Sequence, residues 1–198
     1  TYRQSLWGRY LDKAGIFAEF AKVACITVGY IVEQENECNM LRLKTFSGEE
    51  KQLLQDFNEM LDNHYHNADT HYLCGHNLKE FDIPFICRRS VIHGLPLPKL
   101  LNIAGKKPWQ IGYLIDTMQL WKFGDYKNYT SLALLAAVFD IPTPKDDIDG
   151  SMVGQVYWID RDLDRIITYC EKDVVTVVQV VMKFSGLPMI DSEHIIVV

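Results

Sequence analysis

No run of 18 apolar residues, no Cys-x-x-Cys pair, no internal repeat and no excess of positive charge occurs in this sequence. The first absence excludes a membrane-spanning helix of ordinary length. The five cysteines, Cys25, Cys38, Cys74, Cys87 and Cys170, are odd in number and mostly lie in apolar segments. They read as reduced structural thiols of a cytoplasmic protein rather than as a disulfide framework. His64, His66 and His71 have no suitably spaced cysteine, so a polar helix end and loop is expected there rather than zinc. A net charge of −6 gives no general basic footprint for nucleic acid. It is compatible with a site that brings its own carboxylates to divalent cations. Local basic groups remain at Lys79, Arg88, Arg89, Lys106, Lys107, Lys122, Lys127 and Lys145.

What is present reads as one domain over residues 1–198, with 1–13 resembling a linker. Val23–Val32 and Met40–Phe46 alternate as a β-hairpin around a charged turn. Ser47 with Glu50 three residues later predicts a capping box, ahead of an amphipathic helix through Leu53, Leu54, Phe57, Met60 and Leu61. A short strand His71–Cys74 leads into a helix from about Asp82, with Pro84 in its first turn and Gly94 at its end. Ile111–Thr117 is a further strand, and Thr130 is expected to cap the helix Ser131–Phe139. A last long helix runs from about Asp162 to Phe184. A hairpin followed by strands alternating with helices predicts an α/β fold, a mixed sheet flanked by helices.

Two anomalies interrupt this pattern. In the last helix Leu163, Ile166, Cys170, Val174, Val177 and Val181 form a predicted buried stripe. At 100° per residue Asp173 lies about 20° from Ile166, and a carboxylate there is costly unless paired or bound to a cation. Tyr169 precedes it by one turn on the same side. The second anomaly is the polar segment His76-Asn77-Leu78-Lys79-Glu80-Phe81-Asp82, leaving the C-terminal end of a strand, where sites form in open α/β sheets. On spacing alone Asp82 reads first as a helix cap, and Asp173 as an ion-pair partner at the edge of the core.

Taken together, His76-Asn77-x-x-x-Phe81-Asp82 and Tyr169-Cys170-Glu171-Lys172-Asp173 resemble the second and third motifs of the DEDD exonucleases, in their tyrosine branch. Glu19–Ile26, Asp116-Thr117, Trp121–Asp125 and Lys145–Gly150 extend the resemblance to bacterial predicted 3′–5′ exonucleases related to the proofreading domain of family-B DNA polymerases. The resemblance implies a ribonuclease-H-like fold and two Mg²⁺ or Mn²⁺ ions. It makes Asp82 and Asp173 metal ligands and Tyr169 the residue that orients the attacking water. It suggests Asn77, His76 and Phe81 for binding the terminal nucleotide, and Lys145 for a phosphate. Single-stranded DNA 3′ ends are the implied substrate.

One part of the pattern is missing. The family's first motif, Asp-x-Glu on the central first strand, has no counterpart; Ala18-Glu19-Phe20 lacks the aspartate and Asp12-Lys13-Ala14 the glutamate. Its two neighbours are therefore expected to show unpaired edges, with the strand itself upstream of Thr1 or supplied by another chain. Three readings follow: a metal-dependent exonuclease whose complete polypeptide includes that strand, a non-catalytic nucleic-acid-binding module of the same fold, and a structural or interaction protein in which Asp82 is only a cap and Asp173 only an ion-pair partner.

Overall fold

The computed structural model describes residues 14–32, 39–142 and 148–198. Strands β1 (Cys25–Val32) and β2 (Met40–Ser47) pair antiparallel, with Cys25 opposite Ser47 and Val32 opposite Met40. In β2 Leu41 and Leu43 are buried on one face and Phe46 on the other, while Arg42 and Lys44 are exposed, so both faces of the strand are partly covered. A strand not foreseen from the sequence, β5 (Ile195–Val197), adds parallel to the other edge of β2, with Leu41 beside Ile195. The run Ile195-Ile196-Val197-Val198 was its available signal.

Helix α1 (Glu50–His64) starts differently from the expected capping box. Glu49 is the N-cap, its side chain accepting from Gln52 N at 2.9 Å. Glu50 turns inward and is buried, accepting from Arg89 Nη2 at 2.6 Å, Arg89 Nε at 2.8 Å and Val23 N at 2.7 Å. His93 Nε2 lies 2.8 Å from the same carboxylate. Arg89, which the sequence left available for phosphate, is thus committed to an internal ion pair. Burial pushes the Glu50 carboxyl up, but the hydrogen bonds from Arg89, Val23 and His93 outweigh it and hold it below its ordinary range.

Strands β3 (Leu73–Gly75) and β4 (Leu114–Asp116) pair parallel, Gly75 beside Asp116. β4 begins later than predicted, with 111–113 in a turn, and ends one residue earlier because the Asp116 side chain accepts from Met118 N and starts helix α3 (Thr117–Lys122). Helix α2 (Ile83–Ile92) follows β3. Helix α4 (Leu132–Val138) is capped by Ser131, one residue past the expected Thr130. A single-turn helix α5 (Val153–Gln155) leads through Val156–Asp160 into α6 (Leu163–Phe184), which spans the expected residues and is capped by Asp162.

The chain is mixed α/β, but the one mixed sheet expected is divided. Among the described residues β1-β2-β5 form a three-stranded mixed sheet and β3-β4 a separate parallel pair. Helix α6 packs across β1, β2 and β3, so both sheets lie beneath one helix. A shared core joins them, running from Val23, Ile26 and Phe46 through Leu53, Leu54 and Phe57 to Leu101 and Leu114. Neither β1 nor β3 has a strand on its other edge among the described residues. Helix α6 is enclosed on several sides, which is why Ile166, Thr176, Gln179, Val180 and Met182 are its most buried residues. Cys170, Val174 and Val177 of the predicted stripe are half-buried. At Gly29 the helix comes so near that an added Cβ would stand 2.9 Å from Val174 Cγ1. No helix among the described residues is long and apolar enough to cross a membrane.

Candidate active site

The polar segment after β3 is held in place from beneath. Asp116, 2% exposed, accepts from Asn77 N at 2.9 Å, Lys79 N at 3.1 Å and Met118 N at 3.0 Å. Three backbone donors converge on one carboxylate, fixing the segment against the end of β4. Asn77 takes φ 63°, a left-handed conformation that asparagine tolerates better than most residues. Leu78–Asp82 then forms a π-helical turn, closed by Ile83 N donating to Leu78 O. Such turns occur disproportionately at functional sites. Asp116 is the residue the sequence reading left without a role. Its signal was an aspartate at a strand's C-terminal end.

Asp82 makes no capping hydrogen bond, so the cap reading of this residue fails. Burial, chiefly, raises its carboxyl to about 6; the charges of Asp116 and Asp173 add to the rise, and its own backbone N–H partly offsets it. The loop after β3 and the middle of α6 therefore bring two acidic side chains into mutual electrostatic reach. Asp173 and Asp82 also act together on Cys170, whose thiol is driven far up, first by its contact with Cys25 and then by burial. That contact, Sγ to Sγ at 3.5 Å, ties β1 to α6 beside Tyr169. Gly150 borders Tyr169: a Cβ there would stand 3.9 Å from the phenol oxygen. Glu171 points elsewhere, accepting from Thr45 Oγ1 on β2 at 3.0 Å.

The remaining expected site residues divide. Phe81 is 40% exposed, its ring centroid 5.7 Å from that of Phe85. His76 uses both ring nitrogens inside the protein, Nδ1 at 2.9 Å from Thr117 Oγ1 and Nε2 at 2.9 Å from the carbonyl oxygen of Thr130. It has no ring nitrogen left for a nucleotide. Lys145 lies outside the described residues.

Two acidic side chains within electrostatic reach, one of them destabilised as an anion by burial and by its neighbours, suit a hard divalent cation. Asp116 adds no free ligand, since both its oxygens accept from backbone. A comparison with protein families matches residues 16–188 to a predicted 3′–5′ exonuclease family related to the exonuclease domain of PolB. The chain belongs to this family. Membership makes it an exonuclease-related domain and implies nucleic acid as its partner. The match spans β1 to the end of α6, so Asp82 and Asp173 both lie within the family's span. No curated protein matches the chain.

Proposed function

We propose that the domain removes nucleotides from the 3′ end of single-stranded DNA by metal-assisted phosphodiester hydrolysis. The observation that supports this most is that Asp82 and Asp173, from elements far apart in the chain, come within electrostatic reach of one another. The two carboxylates would hold Mg²⁺ or Mn²⁺, which when bound supplies an ionised water near neutral pH and stabilises the leaving 3′-oxygen. Tyr169, one helical turn before Asp173, orients that water through its phenol. Asn77 reaches the terminal nucleotide from its left-handed turn, and Phe81 offers a ring face to the terminal base. Lys145 pairs with a phosphate. Single-stranded DNA is favoured by the relation to a PolB exonuclease domain.

The division between β1 and β3 supports a second element of this reading. A strand paired to both edges would join the two sheets in the ribonuclease-H-like manner. Such a strand would bring the Asp-x-Glu carboxylates beside Asp82 and Asp173, making a site for two cations.

The test uses single-stranded DNA labelled at its 5′ end, with Mn²⁺ as cofactor. Stepwise shortening from the 3′ end is expected, abolished by EDTA and by Asp173→Asn or Asp82→Asn. A Mn²⁺ titration followed by thermal unfolding gives a second readout: the wild type is stabilised and each variant is not. Turnover retained in either variant would refute the assignment.

A further inference from the structure

We propose that Lys122–Thr130 is a stacking platform for single-stranded nucleic acid, holding the bases on the 5′ side of the terminal nucleotide. The proposal rests on the exonuclease reading and extends it to a binding surface outside the metal site.

Three aromatic rings stand in solvent within this one segment: Phe123 at 84% exposure, Tyr126 at 90% and Tyr129 at 67%. Single exposed aromatics are ordinary, but three in seven consecutive residues are not. Phe123 is also held at φ 45°, a left-handed conformation that is a true outlier for a bulky side chain. Phe123 is the C-cap of α3, its N–H donating to Leu120 O, and its ring meets Trp121 edge-on with centroids 6.5 Å apart, a contact that still leaves most of the ring in water. Trp121, just before, shows the contrast: it packs edge-on against Phe139 at 5.5 Å and Phe184 at 6.3 Å, rooting the segment in the core.

The segment is built rather than loose. Asp125 N donates to Lys122 O at 2.8 Å, Lys127 N to Asp125 Oδ1 at 2.9 Å, and Thr130 Oγ1 to Asn128 Oδ1 at 2.8 Å. Its acidic side chain is thereby turned to the backbone, while the Lys122 cation stays at a ring. Lys122 Nζ sits 4.1 Å from the centroid of the Tyr129 ring. Aromatic faces interleaved with lysines are what single-stranded nucleic acid requires, since every base has a π-face and every nucleotide a phosphate.

Continuity with the acidic pair fixes the occupant. His76, in the segment that carries Asp82, binds the carbonyl oxygen of Thr130 through one ring nitrogen and Thr117 Oγ1 through the other. The platform's C-terminal end, next to Tyr129, is thus clamped onto the acidic segment. A strand whose 3′ end lies at Asp82 and Asp173 would leave them beside these rings. His76 is then a positioning residue, acting on nucleic acid through the loop it holds.

The test is fluorescence anisotropy of a labelled oligothymidylate 12-mer with the full chain in EDTA, which separates binding from cleavage. Stacking contributes enough per base that the triple variant Phe123→Ala, Tyr126→Ala, Tyr129→Ala is expected to weaken Kd by about 100-fold. Tyr126→Phe, which keeps the ring, is expected to bind within about threefold of wild type, and Trp109→Ala, an exposed ring elsewhere, should bind as wild type does. His76→Ala should weaken binding while His76→Gln restores part of it. An unchanged Kd in the triple variant overturns the platform, as does an equal loss in Trp109→Ala or no binding by wild type. The exonuclease reading fails separately: a wild type that binds but never cleaves, with binding lost in the triple variant, leaves the platform standing.

Discussion

Replacing Asp116 tests how the acidic segment is held. In Asp116→Ala three backbone N–H groups, of Asn77, Lys79 and Met118, lose their acceptor at 2.9–3.1 Å. Hydrogen bonds to a charged group contribute about 1.5–3 kcal/mol each. Asn77 and Lys79 are half-buried, so water recovers part of the loss. A destabilisation of about 3–5 kcal/mol is therefore expected, or about 10–15 °C in Tm for a domain of this size. Asp116→Asn keeps one oxygen for Asn77 and Met118 but sets its amide nitrogen against Lys79 N, two donors face to face. Its loss should be about half as large. The assay is urea unfolding in EDTA, with Mn²⁺-dependent stabilisation measured alongside. Wild type should exceed Asn, and Asn should exceed Ala, with Mn²⁺ stabilisation weakened in the same order. An alanine variant within about 1 kcal/mol of wild type would refute the view that this buried carboxylate holds the segment.

Glu50→Gln removes a buried charge and leaves Arg89 without its partner, at an expected cost of about 3–5 kcal/mol near neutral pH. Because the folded Glu50 carboxyl lies below its ordinary value of 4.5, its contribution is complete above that pH and lost as pH falls through the folded value. Wild type should lose stability across that acid window and Glu50→Gln should lose less; equal slopes would contradict the pairing. Gly29→Ala places a Cβ 2.9 Å from Val174 and should destabilise by about 1–3 kcal/mol by lifting α6 from β1. The smaller Val174→Ala in the same chain should recover part of that loss, and no recovery would place the strain elsewhere. Asp82→Asn removes one of two mutually repelling acids, so in EDTA it should unfold at the same or a higher temperature while losing Mn²⁺ stabilisation; a large loss in EDTA would make Asp82 structural instead.

Local patterning accounts for much of what could be read in advance. The hairpin follows from its apolar runs around a charged turn, α6 from its apolar periodicity, and the position of Tyr169 one turn before Asp173 from helix geometry. These depend on neighbours within a few residues, which sequence displays directly. The polar segment around Asp82 was visible for the same reason, as charge where a strand should turn into a helix.

Other features were decided by contacts between distant elements. Glu50 looked like a capping partner, and only the approach of Arg89 and His93 from α2 makes it a buried ion-pair centre. His76 looked like a substrate ligand until Thr117 and Thr130 took both its nitrogens. Asp116 gained its role because β4 ends beneath the segment that follows β3. β5 depends on a partner edge almost the whole length of the chain away. The sequence by itself determined which residues bear charge, where helices start and which faces are apolar, because these are short-range properties. Tertiary structure alone decided that Asp82 meets Asp173 and that the sheet is divided between β1 and β3. Burial and long-range pairing set those outcomes, and neither is written in any local window of the chain.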